Sequence, residues 1–239
     1  MKKKYTHEKD YRGFSQMLEI MKPMTFKQKV EHLWTYYKEW LLVIFFGILF
    51  IGLMFTIIEE QKKEVLVGGM MINISIEQSA MNYMTTEYAM DLGAKNQYQV
   101  AEVDYTNFGD PLDPENGENS YYASMILPSR VTGGMLDYII LDQYAMEYYI
   151  AYDVYMDLRE FFTEEEIKQF EKEGRIIYAR QEDEEDAWAV AVKITDIPFV
   201  KENIKAEGDV YFALSGSSKR KDMCRNAWER IMTWKPAEE

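Results

Sequence analysis

Histidine and cysteine are scarce in this sequence, which has two histidines and one cysteine among 239 residues. Both histidines, His7 and His32, precede a long apolar run, so the chain that follows the run contains none. Ser-His and Cys-His nucleophile pairs, and zinc sites that use histidine, are therefore excluded from that part of the chain. The single cysteine, Cys224, permits no internal disulfide, and we interpret it as a small packed apolar residue.

Motifs that bind phosphate groups are also missing. Gly68 and Gly69 are adjacent and lead directly into Met70 and Met71, unlike the G-x-G-x-x-G pattern of dinucleotide-binding turns. The segment 216–221, GSSKRK, lacks the first glycine and the spacing of a P-loop. Acidic residues are plentiful enough for paired-carboxylate hydrolysis, but no pattern selects a pair. We therefore predict a protein that is not an enzyme and has neither a cofactor nor a metal centre.

Residues 40–58 form the one long apolar run, WLLVIFFGILFIGLMFTII, which contains no charge, amide or proline over 19 residues. At about 1.5 Å per helical residue the run covers roughly 28 Å, close to the ~30 Å hydrocarbon core of a bilayer. No small-residue cleavage site follows it, which favours a retained signal anchor over a cleaved signal peptide. We predict a single transmembrane helix over residues 40–58.

Charge is distributed very unevenly around this run. Residues 1–39 carry nine Lys or Arg and five acidic residues, whereas residues 40–239 carry 18 basic and 36 acidic residues. Because basic flanks stay in the cytoplasm, we predict a cytoplasmic N-terminus and an extracytoplasmic domain over residues 59–239. The acidic domain argues against binding to nucleic acid and favours neutral, cationic or protein partners.

The first 39 residues indicate a cytoplasmic tail and a juxtamembrane amphipathic helix. Thr25 and Gln28 match a capping box, and apolar positions such as Phe26, Val30 and Trp34 recur at helical spacing. Two roles stay open for this helix: lying in the membrane interface, which we favour, or docking onto another membrane subunit.

Beyond the membrane, apolar β-rich segments alternate with segments of helical spacing, which predicts an α/β domain with one mixed, largely parallel sheet covered by helices. Segments 175–181 and 187–194 flank an acidic run and predict an antiparallel hairpin near the sheet edge. Serines at 215–218 are candidate caps for a closing helix. The predicted strands comprise 64–75, 97–105, 136–141, 175–181, 187–194 and 208–214.

In a parallel α/β sheet, ligands bind beyond the carboxyl ends of the strands. This rule selects residues that follow three of the predicted strands as candidate ligand-binding residues: Tyr105, Thr106, Asn107, Asp142, Ser215 and Ser217. Tyrosine clusters at 121–122 and 148–149 suit sugar or protein contacts, although most tyrosines at helical spacing are expected to be half-buried packing residues.

The loop 110–119 is rich in carboxylates. Its oxygen atoms have the chemistry to surround a hard cation, but the spacing does not fit a calcium-binding loop and the prolines favour an ordinary solvated loop.

Four segments, in this order, resemble extracytoplasmic solute-binding proteins of ABC importers: TGGMLDYIILD (132–142), YMDLREFFTEEE (155–166), RIIYARQ (175–181) and YFALSGSSKRKDMCRNAWERIM (211–232). The resemblance implies a fold like one lobe of a periplasmic binding protein, because the chain beyond the membrane has room for about one lobe. It also implies an association with a transporter permease.

Together these features predict a membrane-anchored, non-catalytic binding or accessory protein of a transport or envelope assembly. Two alternatives stay open, namely a receptor domain for a small neutral or cationic solute such as a sugar or peptide, and a purely structural membrane anchor.

Overall fold

The computed structural model describes residues 21–109, 117–180 and 186–236. The chain divides between Lys62 and Lys63 into two compact units. Residues 110–116 of the predicted acidic loop 110–119 lie outside the described residues, as does the tip 181–185 of the predicted hairpin, whereas 117–119 begin a helix.

The described part of the first unit contains one long helix, α1 (Phe26–Gln61), of 36 residues. The main-chain N–H of Thr25 donates to Oε1 of Gln28 at 3.0 Å, as expected for the predicted capping box. Within α1, Lys38–Gln61 is long and apolar enough to cross a membrane, and none of its most apolar window is buried. The predicted run 40–58 lies inside this segment, and the helix continues for three residues beyond it.

The second unit contains a six-stranded sheet and a separate two-stranded ribbon. In the sheet the strand order is β3-β1-β4-β8-β6-β5, and the ribbon joins β2 to β7. The strands are β1 (Glu64–Ile72), β2 (Ile74–Ile76), β3 (Gln99–Thr106), β4 (Tyr138–Asp142), β5 (Ile176–Ala179), β6 (Trp188–Lys193), β7 (Ile204–Ala206) and β8 (Val210–Leu214).

The sheet is mixed. Strand β1 pairs in parallel with β3 and β4, whereas β4–β8, β8–β6 and β6–β5 are antiparallel pairs. Four strands consequently run in one direction, and β8 and β5 run in the other. The predicted α/β class with a mixed sheet and an antiparallel edge hairpin is confirmed. The sequence did not reveal that β8 runs in reverse at the centre of the sheet.

Helices cover both faces of this sheet. The described helices of the second unit are α2 (Gln78–Asn82), continued by a π-helical turn (Tyr83–Glu87) into α3 (Tyr88–Asp91), then α4 (Gly117–Ser124), α5 (Ile126–Thr132), α6 (Gln143–Tyr149), α7 (Glu164–Lys172), α8 (Pro198–Asn203) and α9 (Lys221–Thr233), with 3₁₀ turns at Ile150–Tyr152 and Leu158–Glu160.

Alternate strand residues face two separate cores. On one face Ile140 and Phe212 pack with the helices α2, α3, α7, α8 and α9. On the other face Ile139 and Ala213 pack with α5 and α6. Side chains on both faces of the central strands are apolar, because a strand that is covered on each side has no face in contact with solvent. The result is a three-layered α/β/α unit.

Two adjacent glycines in β1 permit close packing at the middle of the sheet. A Cβ atom on Gly68 would lie 2.2 Å from the carbonyl oxygen of Met135, and one on Gly69 would lie 2.3 Å from the ring of Tyr138. Because glycine has no Cβ atom, it allows β1 to pack this closely against its neighbours.

Several local predictions needed correction. The strand predicted over 64–75 is interrupted at Asn73, which has a φ of 56°. The closing helix α9 begins after Arg220, which makes no side-chain cap, and the predicted serine caps are not used. The short helix α8 and the ribbon strand β7 were not predicted, because three to six residues are too few for a clear periodic pattern, and β2 was not separated from the predicted strand 64–75.

Candidate functional site

The carboxyl ends of β1, β3 and β4 meet at one edge of the sheet, as the parallel arrangement predicts. Oδ1 of Asp142 accepts the main-chain N–H of Ala145 at 2.8 Å and Nδ2 of Asn73 at 3.4 Å. Oδ1 of Asn73 accepts the N–H of Phe108 at 2.8 Å, and the N–H of Asn73 donates to the carbonyl of Thr106 at 3.0 Å. The side chain of Asn73, missed in the sequence, thus connects the ends of three strands.

Asp142 has a clear structural role at this edge. It is the N-terminal cap of α6, which explains the bond from Ala145. Burial raises the pKa of its carboxyl group, and the hydrogen bonds from Ala145 and Asn73 oppose that rise. Thr106 is buried and Asn107 follows it, while Tyr105 is 70 % exposed. The structure brings these predicted residues to one edge, and ligand binding by them stays a prediction.

Ser215 and Ser217 lie at the opposite edge of the sheet, contrary to the expected grouping. Because β8 is antiparallel to β4, its carboxyl end points away from Asp142. The two hydroxyl oxygens are 3.1 Å apart, and the N–H of Ser215 donates to the carbonyl of Asp137 at 3.0 Å. The six predicted residues therefore form two groups instead of one site.

Near these serines the carboxylate of Asp137, which is 1 % exposed, forms a buried network that the sequence analysis did not identify. Oδ1 accepts Oγ of Ser218 at 2.8 Å and Nε of Arg220 at 3.0 Å, and Oδ2 accepts the N–H of Gly68 at 2.8 Å. Arg220 also donates to the carbonyl of Val65 at 2.5 Å. The sequence signal that could have revealed this network is a single acidic residue, Asp137, directly before the apolar strand β4. We call this arrangement the Asp137 clasp.

The neighbouring thiol of Cys224 is fully buried, and its Sγ lies 3.4 Å from Oγ of Ser218. Burial raises the pKa of this thiol to about 11. At neutral pH it stays protonated, which agrees with its interpretation as a packing residue.

A tyrosine-rich surface covers the outside of α4, α6 and the 3₁₀ turn that follows α6. We define the tyrosine surface by its exposed rings, which are 40–64 % accessible: Tyr121, Tyr122, Tyr144 and Tyr152. Tyr148 lies between Tyr144 and Tyr152 and stacks on both, with ring centroids at 6.3 and 5.3 Å. The predicted half-buried packing role therefore holds for Tyr148 but not for Tyr121 and Tyr122.

Hydrogen bonds hold the inner part of this surface in place. The hydroxyls of Tyr148 and Tyr152 are 2.9 Å apart, and the hydroxyl of Tyr148 donates to Oγ of Ser124 at 3.2 Å. Tyr149 is fully buried and donates to the carbonyl of Ser124 at 2.8 Å. The hydrogen bond with Tyr148 raises the pKa of Tyr152 to about 12, so this ring is uncharged at neutral pH.

An open groove of about 400 Å³ adjoins these rings. Its apolar wall includes Tyr122, Ile126 and Met135, which are 64, 39 and 53 % exposed. Arg130 lies at its polar end and forms an ion pair with Asp104 of β3 at 2.9 Å. Exposed aromatic and thioether side chains beside an arginine are the combination enriched at protein interfaces.

Among the described residues, no group of three or more His, Cys, Asp or Glu side chains is arranged to hold a metal ion. Comparison of the chain with protein-family models, with curated proteins and with solved structures finds no match.

Proposed function

We propose that this chain is a single-pass membrane protein whose extracytoplasmic α/β domain binds a protein partner in a transport or envelope assembly and catalyses no reaction. The observation that carries the proposal is the tyrosine surface with its adjoining groove. Rigid rings with polar tips bury a large area on binding while losing little conformational entropy.

The anchoring part of the proposal is supported by α1. Its segment Lys38–Gln61 has a mean hydropathy of 3.0 over its most apolar window. The basic excess before this segment and the acidic excess after it favour a cytoplasmic N-terminus. A bilayer would cover apolar side chains that are otherwise exposed to water.

Site-specific photocrosslinking in intact cells tests the binding part. A photoreactive phenylalanine analogue at Tyr122 should produce one recurrent adduct with a membrane or envelope protein. The matched control is Tyr178, which is 41 % exposed and lies on the distant edge strand β5.

The further change Met135→Glu places a charge in the groove and should remove the Tyr122 adduct while leaving the chain folded. Absence of an adduct at Tyr122, or identical adducts from Tyr122 and Tyr178, would refute the tyrosine surface as the binding site.

A second candidate is a solute receptor, the activity implied by the resemblance to one lobe of ABC importer binding proteins. The volume of the open groove, about 400 Å³, is in the range of small-ligand sites, and a short sugar or peptide is the class of ligand proposed for it. A ligand that binds the folded state raises the melting temperature. The receptor candidate predicts such a rise for the full chain in detergent, and its loss in Tyr122→Ala.

A further inference from the structure

Strand β3 forms one edge of the six-stranded sheet and pairs only with β1 among the described strands. The N–H of Glu64 donates to the carbonyl of Tyr98, and the N–H of Asn73 donates to the carbonyl of Thr106. Even-numbered residues of β3 thus direct their main-chain groups toward β1. Ala101, Val103 and Tyr105 consequently direct theirs away from the sheet.

In the part of the chain that the structure describes, the main-chain groups of Ala101, Val103 and Tyr105 form no hydrogen bond with another element. Edge strands are commonly protected by proline or lysine, and Gln99–Thr106 contains neither. An unpaired edge of this kind is a template for an additional strand, and its exposure rises from Ala101, which is 5 % exposed, to Tyr105, which is 70 % exposed.

The charged side chains of β3 determine which kind of strand could pair with its outer edge. Glu102 and Asp104 share one face of β3, and only Asp104 has an ion-pair partner, Arg130, among the described residues. Pairing with β3 of a second copy would bring like charges together at a cost in free energy. A basic strand would instead meet Glu102 and the acidic excess of the whole domain.

Arg130 joins this edge to the groove. It contacts Asp104 and also lines the groove beside Ile126 and Met135. A strand added to β3 would alternate its side chains between the two faces of the sheet, and those on the Asp104 face would point toward the groove. Main-chain pairing and an apolar contact are then available to the same segment.

We propose that the outer edge of β3 binds an extended, lysine- or arginine-bearing segment of a partner protein by strand addition. This inference rests on the proposed partner-binding function and names the form of the partner.

The test uses the full-length protein in nanodiscs and a fluorescent ten-residue probe of sequence TVKVTVKVTV. The probe should bind, and it should slow hydrogen exchange of the amides at 101–105. A probe of equal charge, N-methylated at four consecutive central residues, has lost main-chain donors on both edges and should bind at least tenfold more weakly. Equal binding of the two probes would show charge attraction alone and overturn the proposal, as would absence of binding at millimolar probe.

The matched variants are Val103→Pro and Val103→Thr. Proline removes the outward N–H, a change that edge strands tolerate, and should weaken binding at least tenfold, whereas threonine keeps the N–H and should bind as the wild type does. Binding by folded Val103→Pro within twofold of the wild type would overturn strand addition. Should Val103→Pro unfold, the comparison of the two probes on the wild type still decides.

The outcomes separate this inference from the proposed function. If the probe does not pair with β3 but the Tyr122 adduct still forms, only the strand-addition proposal is refuted. If the probe pairs with β3 but no Tyr122 adduct forms, the tyrosine surface is refuted as the binding site and strand addition to β3 stands.

Discussion

At the residue scale, Asp137 illustrates how one buried carboxylate joins distant parts of the chain. Its oxygens bind groups from β1, from the segment after β8 and from the start of α9. A buried carboxylate is tolerated only when its hydrogen-bonding capacity is satisfied, and here three donors and the Arg220 charge satisfy it. The clasp therefore stabilises the fold.

Arg220→Met should lower the free energy of unfolding by about 3 kcal/mol, because it leaves the buried Asp137 carboxylate without its counter-ion. Urea unfolding of the full chain in detergent measures the loss. The control is Arg159→Met, which removes a more exposed partner of Asp157 and should cost about 1 kcal/mol or less. Equal losses in the two variants would contradict the importance of the clasp.

The sequence allowed individual residues to be placed only where strand direction was predictable. Thr106 and Asp142 were correctly placed at one edge, because β3 and β4 both run parallel to β1. Ser215 and Ser217 were placed there incorrectly, because the direction of β8 depends on long-range pairing that local pattern does not encode. Asp137 was missed because its donors come from segments far apart in sequence.

At the scale of single elements, the helix α7 shows how a local motif is reinforced by tertiary contacts. The N–H of Thr163 donates to Oε2 of Glu166 at 2.9 Å, which completes a capping box. The same carboxylate accepts both terminal nitrogens of Arg225 from α9 at 2.9 Å each. The guanidinium of Arg225 also lies 5.4 Å from the ring centroid of Phe161. One side chain thus caps its own helix and attaches α9.

The pH dependence of stability should report this contact. Burial alone would raise the pKa of Glu166, but the hydrogen bonds from Arg225 and Thr163 lower it overall below its ordinary value of 4.5. The stabilisation is therefore complete above the unfolded-state pKa and is lost as pH falls through the lower folded-state pKa.

Glu166→Gln should accordingly unfold about 1 kcal/mol more easily than the wild type at pH 7, and the difference should shrink on acidification below pH ~4. Denaturant titrations at both pH values measure it. Glu164→Gln is the control, because among the described residues its carboxylate pairs with Lys168 alone, at 3.5 Å and in a solvent-exposed pair. A Glu166→Gln deficit that is independent of pH would exclude the ion pair as its cause.

Whole elements followed from sequence where they are long or strongly patterned. The apolar helix and the edge hairpin were predicted because each carries a local signal. The chain before Gly133 is divided at Met125 into the helices α4 and α5, and the helix after β2 contains a π-helical turn. Such interruptions arise from packing against the sheet, which periodicity alone does not reveal.

At the scale of the whole molecule, the proposed topology separates a basic N-terminal segment from an acidic domain across one apolar helix. The mixed α/β class was predictable, because strands and helices alternate along the sequence. The central position of β8 was not, because strand order depends on contacts between distant residues. The groove was likewise unpredictable, since it joins α4 and α5 to Met135.

Thiol labelling in intact cells should reveal this topology. A membrane-impermeant maleimide should label Lys205→Cys, whose native side chain is 80 % exposed, and should label Lys3→Cys only after permeabilisation. The native thiol adds little background, because Cys224 is buried and its pKa is raised to about 11. Labelling of Lys3→Cys but not of Lys205→Cys in intact cells would reverse the orientation.

The central position of β8 also affects how the domain is made. β4 and β6 each need β8 as a neighbour, yet residues 210–214 are synthesised well after both. A nascent chain halted before Val210 therefore carries two unfilled hydrogen-bonding edges in the middle of its sheet, which invite aggregation. Assembly of this domain must wait for its final strand to leave the ribosome, so a route that accepts unfolded polypeptide suits the export that we propose.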